Sequence, residues 1–152
     1  MIKKILLILF VQSIIVSCNS KFVDKMMDSS NDYKHSDILE KSTRIEIENE
    51  IDSSVTSKTS SFKYIKYEAK TKNQLIAFKN LFVNSEKTDY CCCPDQNYSI
   101  SFYHYQNNFD YYLVDTIEFK NKVRIYDVSY QYSYIIQKDL WKTFLKLLET
   151  KN

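Results

Sequence analysis

Not one of the 152 residues is glycine, where an average chain of this length carries about ten. Glycine serves wherever the backbone must take φ > 0 or approach a ligand closely. A P-loop, a Gly-rich dinucleotide-binding turn, a G-x-S-x-G nucleophile elbow and an EF-hand loop all require it, so none can be built here. The length leaves room for one domain.

Lys3 and Lys4 make a short positive start, and Ile5 to Val11 is an unbroken apolar run before Gln12 and Ser13 interrupt it. The stretch is too short and too broken for a permanent bilayer span, so 1–17 reads as an export signal. It ends in Ile15-Val16-Ser17-Cys18. That ending resembles the lipobox of bacterial lipoproteins: an aliphatic residue, a tolerated residue, a small residue and an invariant Cys. The resemblance implies cleavage before Cys18, diacylglycerol on its sulfur and an acyl chain on its amine. It also implies a lipid-anchored protein of the bacterial cell envelope, expected at the outer membrane and facing either the periplasm or the outside. Several acyl chains anchor durably where one is marginal. The alternative is an ordinary secretory signal cleaved slightly later, with Cys18 incidental. Loss of 1–17 removes two lysines and no acid, leaving nineteen bases against nineteen acids. A neutral, membrane-tethered chain is a poor partner for nucleic acid, whose binding depends on phosphate neutralisation.

Residues 18–61 are rich in Ser, Lys, Asp, Asn and Glu, with apolar residues scattered singly. Such a segment buries too little surface to offset its entropy, so it reads as a tether spanning about 35–40 Å. Ile45, Ile47 and Ile51 hint at local order over 37–51, as a strand or a short helix.

The folded domain is expected over 62–152. Phe62 to Ala69 is aromatic-rich and partly alternating, hence a strand. Thr71 and Gln74 have capping-box spacing, and Leu75, Phe78, Leu81 and Phe82 continue at helical spacing. Residues 84–97 read as a loop. Tyr98 to Tyr105 alternates, and Asn107-Asn108 is the best hairpin turn open to a chain without glycine, because Asn tolerates the left-handed conformation. That turn sets Phe102 opposite Leu113 and Ile100 opposite Asp115, with Leu113, Asp115, Ile117 and Phe119 facing the core. Val123 to Ile136 is one bent strand or two short ones, and Leu140, Trp141, Phe144, Leu145 and Leu148 form an amphipathic helix. The expected class is α+β: a small antiparallel sheet of four to five strands, with two helices packed on one face.

Cys91-Cys92-Cys93-Pro94 is the oddest local feature. With Cys18 lipidated, three thiols remain for an oxidising envelope, an odd count. The favoured reading is one disulfide stapling the loop plus a buried free Cys. A strained, reducible pair suited to redox or regulation ranks second. A Zn or Cu site using Cys91, Cys93 and His104 ranks third, since a fourth ligand is missing. A cysteine nucleophile with His104 and Asp115 ranks last. Asp115, if it faces the core, needs a partner or a raised pKa, and Arg124 or backbone amides of the Cys loop are the candidates. Tyr126, Tyr130, Tyr132 and Tyr134 share strand parity. They read first as core, and otherwise as a binding face for a sugar or a partner strand.

These observations favour a non-catalytic binding module held to the membrane through lipid on Cys18, with an envelope protein or a glycan as partner. No metal or cofactor is expected. The alternatives are a thiol-dependent redox or metal-handling lipoprotein using Cys91, Cys92 and Cys93, and glycan binding by the tyrosine face, with Asp115 as a further candidate contact.

Overall fold

The computed structural model of the chain describes residues 32–51, 63–88, 95–118, 120–129 and 133–151. Residues 32–41 are helical (α1). The chain divides into Met1–Ser36 and Asp37–Asn152, and the second unit contains the sheet.

Eight strands are present among the described residues: β1 Arg44–Ile51, β2 Lys63–Ala69, β3 Glu86–Thr88, β4 Tyr98–His104, β5 Asn107–Asp115, β6 Lys122–Asp127, β7 Ser133–Gln137 and β8 Glu149–Lys151. Their order across the sheet is β3-β7-β6-β5-β4-β1-β2-β8. Every pairing is antiparallel. Two further helices, α2 (Lys72–Asn80) and α3 (Lys138–Leu147), complete the fold. The α+β class holds. The expectation of four to five strands and two helices does not, because β1, β3 and β8 join the sheet and α1 adds a helix.

The largest correction concerns β1. Residues 44–51 are expected within the tether, with only local order as a strand or a short helix, yet β1 sits between β4 and β2 in the middle of the sheet. Its alternation explains the placement: Ile45 and Ile47 are buried and pair with Phe102 and Ile100, while Arg44, Glu46 and Glu48 take the opposite face. A strand with charges on one face looks polar on average and is still half core.

Ile45, Ile47, Ile100, Phe102, Tyr112, Val114, Val123 and Ile125 form a continuous apolar surface that α2 and α3 cover. Phe78 of α2 is the hinge of this packing, with ring centroids 5.3 Å from Phe82, 5.8 Å from Phe102 and 5.4 Å from Phe144. Such edge-on and tilted pairs add to area burial. At the β5–β7 end the other face is buried too, since Leu113, Asp115, Arg124, Tyr126 and Ile135 are all inaccessible there.

The β4–β5 hairpin differs from expectation. Its turn lies at Tyr105-Gln106, with His104 paired to Asn107, and Phe109 is bulged so that Phe102 pairs with Asp110 and Ile100 with Tyr112. Tyr112 and Val114 therefore face the helices, and Leu113 and Asp115 face away.

Candidate functional site

The capping box forms as its spacing requires. Gln74 N donates to Thr71 Oγ1 at 3.3 Å, and Thr71 N donates to Gln74 Oε1 at 3.0 Å. The same buried side chain reaches the other helix, Gln74 Nε2 donating to the Leu147 carbonyl at 3.4 Å. One glutamine thus starts α2 and ties it to the end of α3.

Between the two helices runs a groove of about 480 Å³. Leu81 and Phe144 form its floor, Ala77, Leu140 and Leu147 its walls, and Lys146 stands on its rim. Leu140 and Leu147 are 50% and 54% exposed, and Ile76 on α2 is 46% exposed. The helical repeat explains why. At about 100° per residue, Trp141, Phe144, Leu145 and Leu148 fit one sheet-facing arc, and Leu140 and Leu147 lie about 90–110° from its centre. The apolar arc of α3 is wider than one packed face needs. A second recess of about 290 Å³ shares Asn80, Leu81 and Leu140 with the groove and reaches Lys122 and Glu86, which pair at 2.9 Å.

The sheet face opposite the helices is polar from β2 to β4. Arg44 lies 3.9 Å over the Tyr103 ring and pairs with Glu46 and Glu68, and Tyr103 Oη donates to Glu46 Oε2 at 3.2 Å. Burial first, then Glu46, pushes the Tyr103 phenol above its ordinary range. Lys66 pairs with Glu48, and that hydrogen bond raises the lysine's pKa. Where β4 begins, Glu48, Tyr64, Gln96, Ser99 and Tyr111 line an open recess of about 260 Å³. Asn97, in its wall, is clamped: Nδ2 donates to Thr116 Oγ1 at 2.8 Å, and Thr116 N donates to Asn97 Oδ1 at 3.1 Å. Tyr98 closes the end of the recess and stands edge-on to Trp141, centroids 5.6 Å apart. Burial pushes the Tyr98 phenol up.

Cys18, Cys91, Cys92, Cys93, Tyr130 and Tyr132 lie outside the described residues. Tyr134 is 5% exposed, with Phe82 edge-on at 5.3 Å, so its ring is core and offers no binding face. Tyr126 and Tyr134 are both buried, as the core reading has it, but they do not share a face: β6 and β7 are separate antiparallel strands, with Tyr134 opposite Ile125 on the helix face and Tyr126 opposite Ser133 on the other. Parity does not carry across a hairpin. Asp115 is 1% exposed and so unavailable as a surface contact. Its Oδ1 accepts from Ile117 N at 2.7 Å and Glu118 N at 3.1 Å, while Arg124 lies opposite it in the ladder and donates to Glu118 at 3.2 Å. His104 is exposed, and its Nδ1 lies 2.8 Å from the Lys41 carbonyl, which fixes the proton on that nitrogen.

No protein family, curated protein or solved structure matches the chain. Its function must therefore be read from its own residues. Among the described residues no helix is long and apolar enough to cross a membrane.

Proposed function

We propose that the chain is a lipid-anchored binding module of the bacterial envelope, which holds an amphipathic helix of a partner protein in the groove between α2 and α3. The groove carries this reading. It leaves Leu140 and Leu147 at 50% and 54% exposure beside Ala77, Leu81 and Phe144, where contiguous apolar surface marks an interaction site. Its concavity takes a ridge, which a flat bilayer surface does not supply. Its continuation toward Lys122 and Glu86 suits an elongated occupant. Lys146, the charged side chain among the described residues that line the groove, favours a helix with an acidic flank. The lipobox-like Ile15-Val16-Ser17-Cys18 supports the anchor.

The test places a photoreactive benzoylphenylalanine at Leu140 or Leu147 of the full chain, in a bacterium that exports and lipidates it. Illumination is expected to link both positions to one partner, at a helix with an apolar stripe and acidic flank. Lys146→Glu is expected to weaken that link, and a probe at Lys120 to give none. Links to lipid alone, to other copies of the chain, or no link beyond the Lys120 control would overturn the reading.

A further inference from the structure

The recess on the opposite face has different chemistry. Its lining is phenol, amide, hydroxyl and carboxylate, with almost no aliphatic surface. Tyr64 is 49% exposed on β2 and Tyr111 lies on β5, with β1 and β4 between them. Three strand spacings, about 14 Å, and a four-residue offset along the strands, about 13 Å, separate their backbones, more than a single hexose covers. Between them Glu48 and Ser99 are direct partners in the ladder, and Gln96 stands at the rim.

A pyranose presents an apolar face of C–H groups and a rim of hydroxyls. Tyrosine rings meet the face with their own apolar body and keep a polar tip for the rim. A carboxylate accepts from two hydroxyls, and an amide both donates and accepts. The clamp of Asn97 on Thr116 holds the wall in place before a ligand arrives, which lowers the cost of binding. Among the described residues Glu48 is the single carboxylate in the lining.

We infer that this recess binds a neutral oligosaccharide of two or more rings, stacked on Tyr64 and Tyr111 and hydrogen-bonded by Glu48, Gln96 and Ser99. The site is independent of the helix groove and of the anchor on Cys18.

The test is titration of the ¹⁵N-labelled full chain in detergent micelles with triacetylchitotriose, cellotriose and maltotriose. At least one sugar is expected to give saturable amide shifts centred on residues 96–99, Glu48 and Tyr111. The sole tryptophan, Trp141, reports the same event through Tyr98. Tyr64→Ala, at a half-exposed position that tolerates truncation, is expected to weaken binding about tenfold, and Glu48→Gln several-fold. Lys146→Glu, in the other groove, leaves it unchanged. Absence of saturable shifts with all three sugars, shifts mapping to α2 and α3, or undiminished binding by folded Tyr64→Ala overturns the inference.

Discussion

The carboxylate of Asp115 closes a turn on the backbone of Ile117, its Oδ1 accepting from Ile117 N at 2.7 Å at the very end of β5. The same oxygen accepts from Glu118 N at 3.1 Å, so one buried atom caps two orphan amides where the strand stops. Its role is structural. Asp115→Ala removes both charge-assisted bonds and a charge beside Arg124, and is expected to cost about 2 kcal/mol. Asp115→Asn keeps an acceptor at the same place and costs about half as much. Urea unfolding measures both, and equal losses would show that charge, not the turn, is what matters.

Tyr134→Ala separates core from binding face. Its ring is 5% exposed and abuts Phe82 at 5.3 Å, so truncation is expected to destabilise by about 3 kcal/mol. That is a large share of the roughly 5–15 kcal/mol that holds a small domain together. Tyr64→Ala, at 49% exposure, changes stability by no more than about 0.5 kcal/mol. Thermal melts of the two variants give the comparison directly.

Local signals were legible in the sequence and long-range ones were not. The Thr71–Gln74 box and the amphipathic stretch before Leu148 depend on residues within a few positions, and both form as read. Register across the β4–β5 hairpin depends on where the turn falls. Asn107-Asn108 has the better intrinsic chemistry, but the chain turns at Tyr105-Gln106 and bulges at Phe109. Phe102 consequently meets residue 110 and not 113, an odd shift that exchanges the two faces of β5. The turn chosen puts Tyr112 and Val114 under the helices, burying more apolar surface than Leu113 with a carboxylate would. Core composition overrode turn propensity. Ile45, Ile47 and Ile51 hint at strand β1, but its charges average out its isoleucines, so its place in the middle of the sheet was not legible. The groove was visible in principle, in the excess width of the α3 apolar arc.

That hairpin leaves a mark on the backbone. Tyr105 holds φ at 54°, in the left-handed region that costs a residue with a Cβ about 1–2 kcal/mol. With no glycine in the chain, a bulky aromatic carries the strain at an exposed site. Asn tolerates this conformation better and lacks the entropy cost of glycine. Tyr105→Asn is expected to raise stability by about 0.5–1 kcal/mol. Tyr105→Pro, whose ring forbids positive φ, should lower it sharply. Chemical denaturation checks the turn assignment through Tyr105→Asn, since a turn at Asn107-Asn108 would leave residue 105 extended, where Asn brings no gain.

Alkaline pH probes the polar face and the recess together. Tyr98 and Tyr103 titrate above the ordinary phenol value of 10.0 in the folded chain, Tyr98 because burial opposes its anion and Tyr103 through burial and then Glu46. Lys66 titrates above 10.5, chiefly through its hydrogen bond with Glu48. In each case the folded state keeps a proton that the unfolded chain releases. The stability these groups contribute is fully present below the unfolded pKa values and is lost as pH rises through the folded ones. All three act in one direction, so stability is expected to hold level to about pH 9 and to fall beyond about pH 10. Tyr98→Phe removes one titrating phenol while keeping the ring against Trp141, and should make the fall shallower. Glu48→Gln removes the partner of Lys66 and should do the same by a smaller amount, because that pair is well exposed and screened. Urea midpoints between about pH 8 and 11.5 measure the slope, and a profile unchanged by Tyr98→Phe would mean that the phenol is solvated in the folded protein and the end of the recess is open.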